Sequence, residues 1–440
     1  VSRSSILAAT ICIALSGLSL HGARSSTVEP ERFKLANGLS IILRPISGAP
    51  DVVLVTLYAI GGDHDPEGRS GLAHLTEHLY PTAAAGSTPA RSVQQLMTHY
   101  PAGWNAQTGT RYTVFASVFP KESLQDELSD AAARMGDLKV TDSDLMREKA
   151  RLVSEVGNMF GGFPPLAALN HASERVRPTP LGGRRAGLPD HVNAISAEEA
   201  QDFSRRYYKP ANALLVLAGG FEPVGARSAI TEKFSDILSG ESVPSPYPPG
   251  EPKLGGTEEI HVRPRQRDAT PQVCLAYAAP SPDDDNYAPF LVLVTRLWLN
   301  ASKLGLQPNQ FPVNYAPLDN PEVIAVVVPI ADDETAAQTI ERLRDFVAET
   351  VEPQLSRRDI VATNNAFSFI LGLADMPDPV LAQNPYGVAF GLGRRAQLGI
   401  NPSELAQAIG SLTETDLRRA AGEIFARERS AVVAILVDRT

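Results

Sequence analysis

Val243-Pro-Ser-Pro-Tyr-Pro-Pro-Gly-Glu-Pro252 places five prolines in ten residues. Such a run cannot continue a helix or pair within a central strand, so it predicts a linker. The two sides of it read alike. Before it, Ile195-Ser-Ala-Glu-Glu opens a helix through Tyr208, and Ala213-Leu-Leu-Val-Leu-Ala218 follows as a strand. After it, Leu412-Thr-Glu-Thr-Asp opens a helix through Phe425, and Ala431-Val-Val-Ala-Ile-Leu-Val437 follows. Both helix starts carry a Ser or Thr cap with acids in the first turn. Each half also begins on an apolar strand run, Val52–Ala59 and Val273–Ala279, succeeded by helical stretches. Strands interrupted by long helices predict an α+β domain used twice. The expected division is residues 26–240, a linker over 241–257, and a homologous half over 258–440.

With 440 residues, the chain is long enough for two such cores. Its formal net charge is -10, with no basic block, which excludes nucleic-acid binding as a function class. Residues 1–25 read as a secretory signal peptide: Arg3, the uncharged run Ile6–Leu20, then small residues around Ala23 and Ser25. A periplasmic or secreted bacterial protein is expected, with membrane attachment only if that segment stays uncleaved. Of the two cysteines, Cys12 falls in the signal segment. Cys274 is then alone, in the apolar run Val273–Tyr277, and reads as a small core residue.

The chemistry concentrates in Gly71-Leu-Ala-His74-Leu-Thr-Glu77-His78-Leu-Tyr80, which holds two of only eight histidines. Four residues apart on a helix, His74 and His78 project from one face. Imidazoles so placed can bind one Zn²⁺, while Glu77 can hold a water and accept its proton. The ion acidifies that water and polarises a scissile carbonyl. A hydrolytic zinc site needs a third protein ligand. Asp142 to Gly157 reads as a helix in which Glu148 and Glu155, seven residues apart, lie on one side about 10 Å apart along the axis. One can reach the metal and the other can support a ligand; the helix alone does not say which. His64, His99, His171, His191 and His261 have no ligand spacing to one another and read as loop or surface residues.

These residues resemble the inverzincin metallopeptidases of the pitrilysin and mitochondrial processing peptidase type. His74-Leu-Thr-Glu77-His78 is similar to their inverted zinc motif, and Arg147-Glu148-Lys-Ala-Arg-Leu-Val-Ser-Glu155-Val to the segment carrying their third ligand. Asn105-Ala106-Gln-Thr108-Gly-Thr-Arg-Tyr-Thr113-Val-Phe115 looks like the strand bordering their substrate cleft. Tyr207-Tyr-Lys-Pro210-Ala-Asn212 with Leu215-Val-Leu-Ala-Gly-Gly220 resembles the end of their first domain.

The resemblance implies two similar α/β-sandwich domains facing across a chamber, with one Zn²⁺ per chain in the first. By it His74, His78 and Glu155 are the ligands, Glu77 the general base and Glu148 a second acid behind the ligands. Asn105, Ala106, Phe115 and Tyr315 are expected at the substrate cleft. The implied activity is metalloendopeptidase cleavage of peptides or unfolded segments. The alternative is a noncatalytic or half-catalytic scaffold subunit of a heteromeric processing peptidase. A homo- or heterodimer with a homologous subunit is expected. Two stretches differ from the family pattern: Pro81-Thr-Ala-Ala-Ala-Gly-Ser87 replaces a Phe-Lys-Gly-Thr-like segment, and no Arg lies between Leu299 and Tyr315.

Overall fold

A computed structural model describes residues 29–438, apart from 265, 267, 307–309, 353 and 373–375. The signal-peptide reading of residues 1–25 therefore lies outside the described residues. Two mixed sheets organise the chain. The first contains β1 (Glu31–Lys34), β2 (Ser40–Pro45), β3 (Asp51–Tyr58), β4 (Trp104–Thr108), β5 (Thr113–Pro120) and β6 (Ala213–Gly219), in the spatial order β1-β2-β6-β3-β5-β4. The second contains β7 (Thr257–Val262), β8 (Gln272–Ala278), β9 (Val313–Ala316), β10 (Asn320–Pro329) and β11 (Ala431–Val437), in the order β9-β10-β8-β11-β7.

The duplication read from the sequence is visible strand by strand. β2 runs parallel to β6 and β7 parallel to β11, while β3 and β8 each lie antiparallel between two neighbours. The strand-feeding helices are also equivalent. Ala197–Tyr207 leads into β6 and Glu414–Ile424 into β11, each opened by a reciprocal capping box, on Ser196 with Glu199 and on Thr413 with Asp416. The mixed α/β architecture is therefore two related α+β units. β1 is the exception, since it covers the outer edge of β2 and, among the described residues, has no counterpart beside β7.

The halves are not packed independently. Strands β3, β6 and β8 are buried almost throughout, so both faces of each sheet need cover. One face of the first sheet is covered by helices of its own half, around Leu54, Leu75, Phe115 and Leu217. The other face is covered by Pro385–Leu398 from the second half, through Val388, Ala389 and Leu392 against Val55, Leu57, Val114 and Val216. Reciprocally, Pro164–Val176 from the first half packs Ala167, Ala168, Ala172 and Val176 onto Cys274, Ala276, Val323 and Val433. Small residues on that helix let it lie close to the strands. Cys274 is a fully buried member of this layer, as its apolar run predicted, and burial pushes its thiol up from the ordinary value.

Polar contacts reinforce the exchange. Arg177 donates to Asp63 at 2.7 Å and pairs with Glu322 of the second half at 2.9 Å, while the Tyr112 hydroxyl reaches Asp319 at 2.8 Å. The Pro-rich connection has no regular structure yet is tied down: Tyr247, Gly250 and Lys253 donate their backbone N–H groups to the carbonyls of Asp63, Pro178 and Arg175. β7 starts at Thr257, the last residue read from sequence as linker.

Candidate metal centre

The metal-site helix, α1 (Leu72–Thr82), is buried on every side. Its first turn is fixed by a neighbouring carboxylate. Asp65 accepts the N–H of Gly71 at 2.6 Å and of Ala73 at 2.8 Å, satisfying donors that a helix start leaves open. Gly71 itself has φ 92°, and a Cβ there would lie 2.7 Å from Gly187 Cα, so both its conformation and its surroundings call for glycine. The turn carrying Asp65 sits 6 residues ahead of Gly71 and pins the helix to the end of β3.

From α1, His74, Glu77 and His78 point toward α2 (Asp142–Gly157), and all three are 7–8% exposed. The His74 Nε2 lies 3.9 Å from Glu155 Oε1, and the His78 Nε2 lies 3.5 Å from Glu155 Oε2. One donor atom from each of these three residues falls within 4.8 Å of the others. Three donors on one tetrahedral ion with bonds of about 2.1 Å stand about 3.4 Å apart, so the set can close on a zinc-sized cation with side-chain shifts of about an ångström. The tautomer is set by the far side of the ring. The His74 Nδ1 faces the Ala186 carbonyl at 2.9 Å and must donate to it, which leaves Nε2 with a lone pair toward Glu155.

His78 differs. Its Nδ1 is buried without a hydrogen-bond partner, and the nearest acid oxygen, Glu148 Oε2, is 3.6 Å away. Glu148 is 1% exposed and is held by Arg147 at 3.0 Å and by Arg151, while Arg147 also grips Asp144 at 3.0 Å. Burial alone would raise the Glu148 carboxyl, yet His78 and the two arginines keep it below its ordinary value. Burial would likewise lower His78, but the carboxylates of Glu148 and Glu155 outweigh it and lift the imidazole to about 9. The Glu155 carboxyl is held down to about 2, chiefly by His78, against its partial burial. A site with three acids facing two imidazoles attracts positive charge strongly, whether from protons or a metal.

Sequence reasoning left one member of this group without a role. Thr108, at the end of β4, donates its hydroxyl to Glu77 Oε2 at 2.9 Å. It stands in the Asn105–Thr108 stretch, but a threonine hydroxyl in a strand carries no signal of where it will point.

The four residues expected at the substrate cleft divide. Asn105 and Ala106 lie on β4, the edge strand beside α1, and both are half-buried. Asn105 donates to the Tyr386 hydroxyl of the second half at 3.0 Å, and Ala106 packs against the first core. Phe115 and Tyr315 lie within the cores. Phe115 is 8% exposed and stacks on Tyr80 with ring centroids 4.1 Å apart, so it is a core residue. Tyr315 is 3% exposed and packs edge-on against Phe290 inside the second core.

The fold, and the clustering of His74, His78 and Glu155, are those expected of peptidases built from paired α+β units. The chain is similar to peptidases of the pitrilysin-type M16 family. A family profile described as "Peptidase M16 inactive domain" matches residues 194–302, a stretch that runs across the linker and contains none of His74, Glu77, His78 or Glu155. The "Zinc protease PqqE" of Helicobacter pylori is 25% identical over 275 residues, covering 59% of this chain and 58% of that protein. The chain's matches thus span less than two thirds of the length of that relative. Subunits of mitochondrial-processing peptidases from Schizosaccharomyces pombe and Arabidopsis thaliana match as well.

Among solved structures, a protease from Helicobacter pylori superposes with a TM-score of 0.74 at 18% identity, over 92% of this chain and 99% of that one. The periplasmic protease PqqL from Escherichia coli gives 0.69 at 14% identity, over 94% of this chain but 48% of that chain. At these identities the structural likeness is one of fold. No described helix is long and apolar enough to cross a membrane.

Proposed function

We propose that the chain is a zinc metalloendopeptidase acting on peptides or unfolded polypeptide segments. The observation that carries the reading is the convergence of His74, His78 and Glu155 within 4.8 Å, with Glu77 alongside at 3.8 Å from His74. His74, His78 and Glu155 would hold the ion. Bound there, zinc supplies positive charge that acidifies a water molecule and polarises the scissile carbonyl.

The remaining work falls to the chain's own groups. Thr108 donates to Oε2 of Glu77 and holds the carboxylate that takes the water's proton and returns it to the departing amine nitrogen. Glu148, clamped by its arginines, orients His78 through charge rather than through a short hydrogen bond. The surrounding burial excludes bulk water from the base.

A partner belongs to the same proposal. The resembled family holds substrate with an arginine and a tyrosine of its second half; here Tyr315 is packed in the second core and no Arg lies between Leu299 and Tyr315. The Escherichia coli protein accommodates this fold in about half its length, and the mitochondrial relatives are named as subunits. A homologous second subunit, identical or different, is therefore part of the working form, and periplasmic or secreted placement follows the N-terminal apolar segment. A noncatalytic scaffold is the competing reading. Metal analysis and a peptide-cleavage assay on wild type and Glu77→Gln separate them: zinc retained in both, with cleavage only in wild type, supports the peptidase. Cleavage unaffected by Glu77→Gln would overturn it.

A further inference from the structure

The space beside Glu155 continues to an open sheet edge. β7 is the last strand of its sheet and, among the described residues, has a partner only in β11. Asp438 N donates to the Val262 carbonyl at 3.1 Å, so the peptide groups of Val262 face β11. Successive residues alternate, so the N–H and C=O of His261 face away from the sheet. Four consecutive residues, Ile260 to Arg263, line one wall of a crevice of about 550 Å³. Side chains that alternate between faces cannot all reach one wall, so the wall is the strand's edge.

The opposite wall is the π-helical turn directly after the Glu155 helix, Asn158–Gly162. A Cβ on Gly157 or Gly161 would meet nothing within 4 Å, so these glycines border open space rather than close packing. Asn158 and Gly162 are shared with an adjoining hollow of about 320 Å³ that reaches Glu155. Met159, Phe163 and Leu166 line that hollow, with Phe163 49% exposed.

Unpaired edge donors and acceptors along a crevice leading to a hydrolytic site form the setting for strand addition. We infer that β7 is a docking strand for substrate: an extended segment of unfolded polypeptide pairs with its outer edge and lays an apolar side chain in the Met159–Phe163–Leu166 hollow. The inference rests on the peptidase reading above, and names how that substrate is gripped. Main-chain pairing is indifferent to sequence, while the hollow favours Leu, Phe or Met over polar residues.

The test uses the full chain in a Glu77→Gln background, so that binding is read without cleavage. The probe is a fluorescein-labelled, unstructured twenty-residue peptide rich in Leu and Phe, followed by anisotropy. His261→Pro removes one outward N–H without touching the β11 ladder, which an edge strand tolerates. His261→Ala keeps the N–H and loses only the side chain, which bonds Asp438 at 2.9 Å. Gly161→Leu fills the crevice from the far wall and carries the test by itself if the proline variant does not fold. His261→Pro and Gly161→Leu should weaken the peptide about five- to tenfold, the loss expected for one or two hydrogen bonds, with His261→Ala near wild type. Equal affinity in all of them overturns the inference. So does a dimer that dissociates on His261→Pro, which would mean that a second copy takes the edge. Weakened binding in a chain that holds no zinc and cleaves nothing would sink the peptidase reading and leave the docking strand standing.

Discussion

The exchanged helix Pro385–Leu398 can be tested with two glycines on the same turn. A Cβ at Gly393 would lie 2.1 Å from Leu57 Cδ1 and 3.2 Å from Val216 Cγ2, whereas one at Gly391 would meet only Leu318 Cδ1 at 3.9 Å. Leu57 is fully buried in β3, so it has no free volume to swing into. Gly393→Ala therefore forces a shift of over an ångström in a close-packed layer, which costs about 1–3 kcal/mol. Both substitutions gain about 1 kcal/mol of helix propensity, and that gain cancels when they are compared with each other. Gly393→Ala should be less stable than Gly391→Ala by about 1–3 kcal/mol. For halves of this size, 2 kcal/mol corresponds to an unfolding midpoint about 4–8 °C lower. Thermal and urea unfolding of the two purified variants measure the gap. Equal midpoints would show that this helix does not rest on the first sheet as described.

Glu155→Gln should weaken zinc binding, read by competition with a chelating dye, more than Glu148→Gln. The latter acts through His78 and is expected to cost roughly 10–100-fold; the reverse order would exchange their roles. Thr108→Val should leave zinc content unchanged and lower kcat about tenfold, since it frees the Glu77 carboxylate to turn; unchanged kcat would remove Thr108 from the site. Burial pushes the Asp65 carboxyl up to about 7, against the pull of its backbone N–H partners. The folded chain thus holds a proton that the unfolded chain has released above its ordinary value near 3.8. This group's contribution is complete below pH 4 and is lost as pH rises through 7, with a slope of at most about 1.4 kcal/mol per pH unit. Urea unfolding at pH 5 and pH 7.5 should show a smaller pH dependence in Asp65→Asn than in wild type; identical dependence would contradict it.

The metal helix was legible because its information is local. His74 and His78 share a face by periodicity alone, and Glu148 and Glu155 do so on the facing helix. The duplication was legible because a helix with a capping box followed by an apolar strand occurs once in each half. What escaped was non-local. β5 is buried from Thr113 through Ala116, so alternation does not tell which face Phe115 takes. The cause is the helix Pro385–Leu398, which covers the far face and is separated from β5 by more than half the chain. Tyr315 stands on β9, whose burial does alternate, and its neighbours Phe290 and Tyr287 come from a helix packed against that sheet. Thr108 was within a quoted motif, but its hydroxyl gains meaning only once β4 lies against α1.

The reciprocal helices also bear on how the polypeptide is made. β6 ends at Gly219, yet the helix that seals the back of its sheet begins only at Pro385. At roughly 5–20 residues per second, a ribosome needs on the order of ten to thirty seconds to bridge that interval. Throughout it, the apolar strands around Val53, Val55 and Val216 stand uncovered on one side. An N-terminal half that folded before Pro385–Leu398 was available would thus expose this apolar face.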